Sequence, residues 1–221
     1  MLLLGVLPVL LLCSCGKVSP RVVAYEPAAD PDPERAQENQ IRQLLVRVNS
    51  RQAEVVALAR VAANNTNFTA GERARAERDK FYSADKYIES LRDTQNAITN
   101  KMAAMALERA VLANATETNT LTATASQPTA TNRVTADDRT EELKLKEKLI
   151  DLQTLSEDLL LTTPSASQVN AQTREKAAFA REDVHSSQDY IARLSLTVIL
   201  LQKKLQGLDA EAAVYEKALG L

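Results

Sequence analysis

The sequence predicts an all-α protein, an elongated antiparallel helical bundle or coiled coil made of two helical hairpins. Composition is the first observation behind this. Of the 221 residues 45% are hydrophobic, yet only 4% are aromatic and five are Gly, so the apolar mass is Ala, Leu, Val and Ile. Sheet-rich folds need more β-branched and aromatic residues and more turn glycines. Second, apolar residues recur at heptad spacing over long stretches. Third, the prolines fall outside those stretches, and Pro128 and Pro164 lie in polar small-residue patches where a helix would end anyway.

The chain opens with an apolar run, residues 2–12, that ends in Cys13-Ser14-Cys15. A membrane-spanning helix needs about 20 apolar residues; this run has 11 and is interrupted by Pro8, so it reads as the core of an export signal. Leu12-Cys13-Ser14-Cys15 resembles the box of bacterial lipoprotein precursors, with Leu three residues before the cysteine and a small residue directly before it. Cys13 fits less well, because bulky Leu12 would stand at the cut site. The resemblance covers only this leader. It implies a signal peptide over 1–14, acylation of the Cys15 thiol and cleavage just before it. The product would be anchored in the cell envelope by its acyl chains, each buried CH₂ contributing about 0.8 kcal/mol. Gly16 after the cysteine, in place of Asp, implies the outer membrane.

Residues 15–33 follow as a lipidated cysteine and a tether holding Pro20, Pro27, Pro31 and Pro33, which stays extended and builds no core. Helices are then expected over 34–63, 71–114, 138–162 and 167–219. The turn formers Asn64 to Gly71 separate the first pair, and Pro164 lies between the second. Asp137 and Asp138 crowd the start of the third helix, and Ser165 or Ser167 can cap the fourth. Residues 115–137 are rich in Thr and Ala with little to bury, and read as a solvated linker or a glycosylated stretch. Short turns would close 34–114 as hairpin one and 138–221 as hairpin two.

In each hairpin the second helix is the longer, about 65 Å against 45 Å and about 80 Å against 38 Å at 1.5 Å per residue. Its far end therefore loses its hairpin partner. Leu201, Leu205, Leu208, Tyr215 and Leu219, with Met102, Met105 and Leu112, are expected to bury on each other or to serve a protein partner or self-association. The hairpins also resemble one another. Ser83, Tyr87, Ile88 and Leu91 match Ser186, Tyr190, Ile191 and Leu194, which points to an internal duplication. Gln95, Arg109 and Ser187 interrupt the apolar seam, either fixing register or marking where it meets water. From Leu194 to Leu201 the fourth helix is apolar nearly all round, suiting a central bundle position or a partner groove.

Chemistry-bearing motifs are few. A net charge of −2 with no dense basic block argues against nucleic acid as partner. There is no HExxH, CxxC, GxGxxG or phosphate loop, so neither a metal, a cofactor nor a small-molecule substrate is expected. Asp183, His185 and Ser187 lie near one another in sequence, but helical geometry sends His185 away from the other two. No catalytic residue is expected, and His185 reads as a solvated surface side chain. Glu141-Glu142 and Glu157-Asp158 read as a solvated helix face. The functional expectation is a lipid-anchored envelope protein, not an enzyme, with a structural or adaptor role through helix contacts. The second reading is a membrane-active helical protein, pore-forming or spanin-like, for which Leu194 to Leu201 is the nearest candidate segment.

Overall fold

A computed structural model describes residues 32–64, 68–116, 137–162 and 169–221. Cys15, the tether through residue 31, the Thr/Ala-rich residues 117–136, Ser165 and Ser167 lie outside the described residues. The regular structure within them is all-α: α1 (Pro33–Asn64), α2 (Phe68–Asp79), α3 (Ala84–Thr116), α4 (Asp138–Thr162), α5 (Ala171–Glu182) and α6 (Ser187–Leu219). Helix ends follow local chemistry. The Asp32 carboxylate accepts the Glu34 amide at 3.0 Å, and Pro33 stands at the first position, where a missing N–H costs nothing. The Asn170 side chain accepts the Thr173 amide at 2.8 Å, capping α5. Gly220 ends α6 with φ 74°, a left-handed turn that suits glycine.

The two long helices expected over 71–114 and 167–219 are each broken once, at 80–83 and 183–186. Ser186 shows the cause: its hydroxyl accepts the Asp189 amide at 3.3 Å and so caps a new helix. Ser83 holds the same place before α3. Phe81 and Val184, which keep the heptad spacing of these stretches, sit at the breaks and are exposed.

The breaks change what packs on what. α1 runs parallel to α6, with Glu38 at Tyr190 and Arg51 at Asp209. α2 turns back along α6, with Gly71 opposite Tyr215 and Arg78 opposite Gly207. The second half repeats the pattern on α3: α4 runs parallel to it, with Glu142 at Tyr87 and Lys148 at Thr99. α5 then returns along α3. Arg181 reaches Glu108 at 3.6 Å there, as Arg78 reaches Glu211 at 3.5 Å on α6. The helices of each half therefore close chiefly on the other half, not as two self-contained hairpins, because the broken second helix lets α2 and α5 fold back across the long helices.

One core joins the halves. It contains Ile41, Leu45 and Val48 of α1, Tyr87, Leu91 and Ile98 of α3, Leu145, Leu149 and Leu152 of α4, and Tyr190, Leu194 and Leu201 of α6. The overhanging seam is accounted for within the chain: Leu201, Leu208 and Tyr215 are buried, and Met102, Met105, Leu205 and Leu219 are partly buried against the same core. On α6 these side chains are covered by α1 and α2, while Met105 of α3 borders an open cleft. Gly207 permits the closest approach. A Cβ at this position would come within 3.1 Å of the Arg78 carbonyl oxygen. Within 194–201, Leu194, Val198 and Leu201 face the core, while Leu196 and Ile199 are exposed.

Candidate functional site

Two ammonium-centred clusters stand in equivalent places, one in each half of the bundle. In the first, Lys101 Nζ of α3 lies 2.7 Å from Glu34 Oε2 and 2.7 Å from Glu38 Oε1, both on α1. The Tyr190 hydroxyl donates to Glu38 Oε1 at 2.9 Å, and its ring lies under the Lys101 ammonium at 4.9 Å. His185 Nε2 is 3.1 Å from Glu34 Oε1, its ring edge-on to Tyr190.

In the second cluster, Lys204 Nζ of α6 lies 3.1 Å from Asp138 Oδ2 and 2.7 Å from Glu142 Oε1, both on α4. The Tyr87 hydroxyl donates to Glu142 Oε1 at 2.6 Å, and the Lys204 ammonium is 4.7 Å from the Tyr87 ring centroid. Tyr82 takes the place of His185: it packs edge-on against Tyr87 and donates to Asp138 Oδ2 at 3.4 Å. The lysines are 103 residues apart, like the tyrosines they cover.

Burial separates the two. The Lys204 and Glu142 side chains are 2% and 0% exposed, with only Asp138 reaching the edge of the second cluster, whereas Lys101 is 13% exposed and borders a cleft of about 1090 Å³. The cleft lies between the N-terminal turns of α1, the C-terminal ends of α3 and α4, and the α5–α6 junction. Met105, Leu112, Leu159 and Leu160 supply its apolar lining, and Arg35, Arg109 and Arg181 are among its cations. This open cluster with its cleft is the candidate site.

Electrostatics in the site follow from burial opposed by pairing. Burial pushes the Glu34 carboxyl up, but hydrogen bonds from Lys101, Ser187 and His185 and the Lys101 charge hold it below its ordinary value. Burial works against the Lys101 ammonium too, and the Glu38 and Glu34 carboxylates outweigh it, raising that pKa. Burial and the Glu38 carboxylate raise the Tyr190 hydroxyl, which stays protonated as a donor. Each carboxylate is satisfied by an ammonium and by a hydroxyl or imidazole, an arrangement that clamps α1 to α3 and α6.

Several expectations change. His185 is not a solvated side chain: it is 8% exposed, paired with Glu34 and packed edge-on against Tyr190. Asp183 and Ser187 are exposed. Glu141 and Glu142 are buried rather than on a solvated face, while Glu157 and Asp158 are exposed. Gln95 is buried and donates to the Glu141 carboxylate at 3.0 Å, tying α3 to α4. Arg109 is exposed at the cleft. Among the described residues no group of three or more His, Cys, Asp or Glu is placed to hold a metal ion, and no helix is long and apolar enough to cross a membrane. The clusters left a trace in the sequence, since Lys101 and Lys204 keep the spacing of Tyr87 and Tyr190. Compared with known protein families, curated proteins and solved structures, the chain matches none.

Proposed function

We propose that this is a lipid-anchored cell-envelope protein whose helical body serves as a structural or adaptor element, held at the outer membrane through acylated Cys15. The leader supports the anchor: Leu12-Cys13-Ser14-Cys15 has the lipoprotein box pattern. The observation that carries the adaptor role is the cleft mouth. Leu160 and Leu161, at the end of α4, are 77% and 84% exposed, and Leu160 lines the cleft. Asp32 and Pro33, where the chain arrives from the tether, line it as well. The start of α1 and the apolar opening are therefore at the same end of the bundle. A partner helix laying an apolar stripe against Met105, Leu112 and Leu160, its polar side meeting a rim that carries both signs of charge, is the occupant this lining suits.

A photoreactive residue at position 160 in cells tests the contact. A discrete protein adduct is expected from 160 and not from 143, an exposed leucine position on α4 outside the cleft lining. Lack of any adduct at 160 would count against the adaptor role. A Cys15→Ala variant is expected to leave the membrane fraction, and unchanged retention would refute the anchor. Vesicle leakage by the purified body would favour the membrane-active reading instead.

A further inference from the structure

Among the described residues the bundle is held together between its two halves. α1 and α2 lie on α6, α4 and α5 lie on α3, α3 crosses α6, and α1 touches α4. Within a half, among the described residues, close helix packing is limited to α1 with α2 beside their own connection, and α1–α3 and α4–α6 are linked through the Lys101 and Lys204 ion pairs. Ile41, Leu45, Leu91 and Ile98 of the first half, and Leu145, Leu149, Leu194 and Leu201 of the second, are fully buried. Parting the halves would open all eight to water. Each half thus presents an apolar face whose complement is the other half, and the Tyr190 and Tyr87 hydroxyls reach across to Glu38 and Glu142, carboxylates that Lys101 and Lys204 hold within their own halves. The arrangement is that of a dimer whose two units happen to lie on one chain.

Chain length decides how the faces meet. α4 runs parallel to α3, so the chain leaving Thr116 must return to Asp138, which lies at Tyr82 just before α3 begins. That is the length of α3, 33 residues, or about 50 Å at 1.5 Å per residue. Residues 117–136 reach at most about 70 Å when extended, enough to close the bundle within one chain. A connection of eight residues reaches only about 30 Å and could not.

We infer that the cross-half interface is also a docking surface for a second copy of this chain, α1–α3 of one copy closing on α4–α6 of the other and reciprocally, by the contacts already seen within one. Exchange of this kind needs no new surface. With the native connection, closure within a chain competes at an effective concentration on the order of millimolar. Shortening the connection removes that competitor. The inference does not depend on the lipid anchor.

The test uses the chain from residue 32 onward, with 122–133 deleted. The expected result is a doubling of molar mass by light scattering, unchanged helix content by circular dichroism, and hybrid dimers when tagged and untagged chains are refolded together. A folded monomer overturns the inference. A second form guards against misfolding of the deletion: the undeleted chain carries a protease site within 117–136 and is cut after folding. Its two pieces are expected to run as one particle of the uncut mass, and to form hybrid pairs when tagged and untagged samples are unfolded and refolded together. Pieces that part into separate folded monomers, or that return without hybrids, overturn the inference whatever the deletion does.

Discussion

Thr94 and Thr197, 103 residues apart in the chain, meet hydroxyl to hydroxyl at 2.6 Å where α3 crosses α6. Each is the other's counterpart in the sequence match that pairs Tyr87 with Tyr190 and Lys101 with Lys204. A residue can touch its own counterpart only on the axis that relates the two halves, so this hydrogen bond marks the centre of the bundle. Ser90 Oγ completes it at 3.0 Å from Thr197.

Removing hydroxyls at this crossing gives unequal losses. Thr197→Val leaves the buried Thr94 hydroxyl without this partner and is expected to cost about 1–3 kcal/mol. Thr94→Val leaves Thr197 still bonded to Ser90 and costs less. The double variant is expected to lose at least about 0.5 kcal/mol less than the sum of the singles. Urea unfolding of the four proteins measures this, and strict additivity would speak against the bond.

The two lysine clusters are expected to differ in the same assay. Lys204→Met strands the fully buried Glu142, and breaking a buried pair in this way costs about 3–5 kcal/mol. Lys101→Met opens onto the cleft, where water reaches the carboxylates, so the loss is smaller. Equal losses would show that the cleft does not hydrate the first cluster.

Acid acts through the depressed carboxylates. Glu34 and Glu141 are held below the ordinary carboxylate value of 4.5, so the stability they contribute is fully present above that value and fades as pH falls through their folded values. Glu211 is raised by burial, outweighing Arg78 and Arg75, and works in the opposite sense: its ionisation penalises the fold as pH rises. Glu34→Gln should therefore be less stable than the parent at pH 7, with the gap closing as pH falls from the ordinary value of 4.5 through the lower folded one. Glu211→Gln should equal or exceed the parent at pH 7. Thermal unfolding across pH 3–7 checks both signs.

Two helical glycines separate propensity from packing. Gly71 has only the Tyr215 hydroxyl within reach of an added Cβ, at 3.9 Å, so Gly71→Ala is expected to stabilise by about 0.5–1 kcal/mol. Gly207→Ala would meet backbone at Arg78, and the strain is expected to cancel the same gain and leave a net loss of about 1 kcal/mol. Melting temperatures moving the same way for both would refute the close α2–α6 contact.

The helical class, most of the helix ends and the likeness of the two halves were legible in the residues themselves. Ser83-Tyr87-Ile88-Leu91 against Ser186-Tyr190-Ile191-Leu194 already located the equivalent segments. The candidate site was less legible. Glu34, Glu38, Lys101 and His185 come from α1, α3 and the residue pair before α6, and charged side chains at helical spacing look the same on a wet face as in a paired interior. The breaks at 80–83 and 183–186 were hidden inside apolar periodicity, with only a capping serine to mark each.

Heptad spacing, composition and proline placement determined that the body of this protein is a set of amphipathic helices, because those features act within a few turns of chain. Tertiary structure alone decided which apolar face covers which, sending α1 to α6 and α4 to α3 and covering the overhanging seam of α6 within the chain. The physical reason is that apolar stripes are interchangeable. Discrimination between them comes from buried ammonium–carboxylate–tyrosine contacts and one glycine-sized gap, whose members lie far apart in sequence and meet only in the folded bundle.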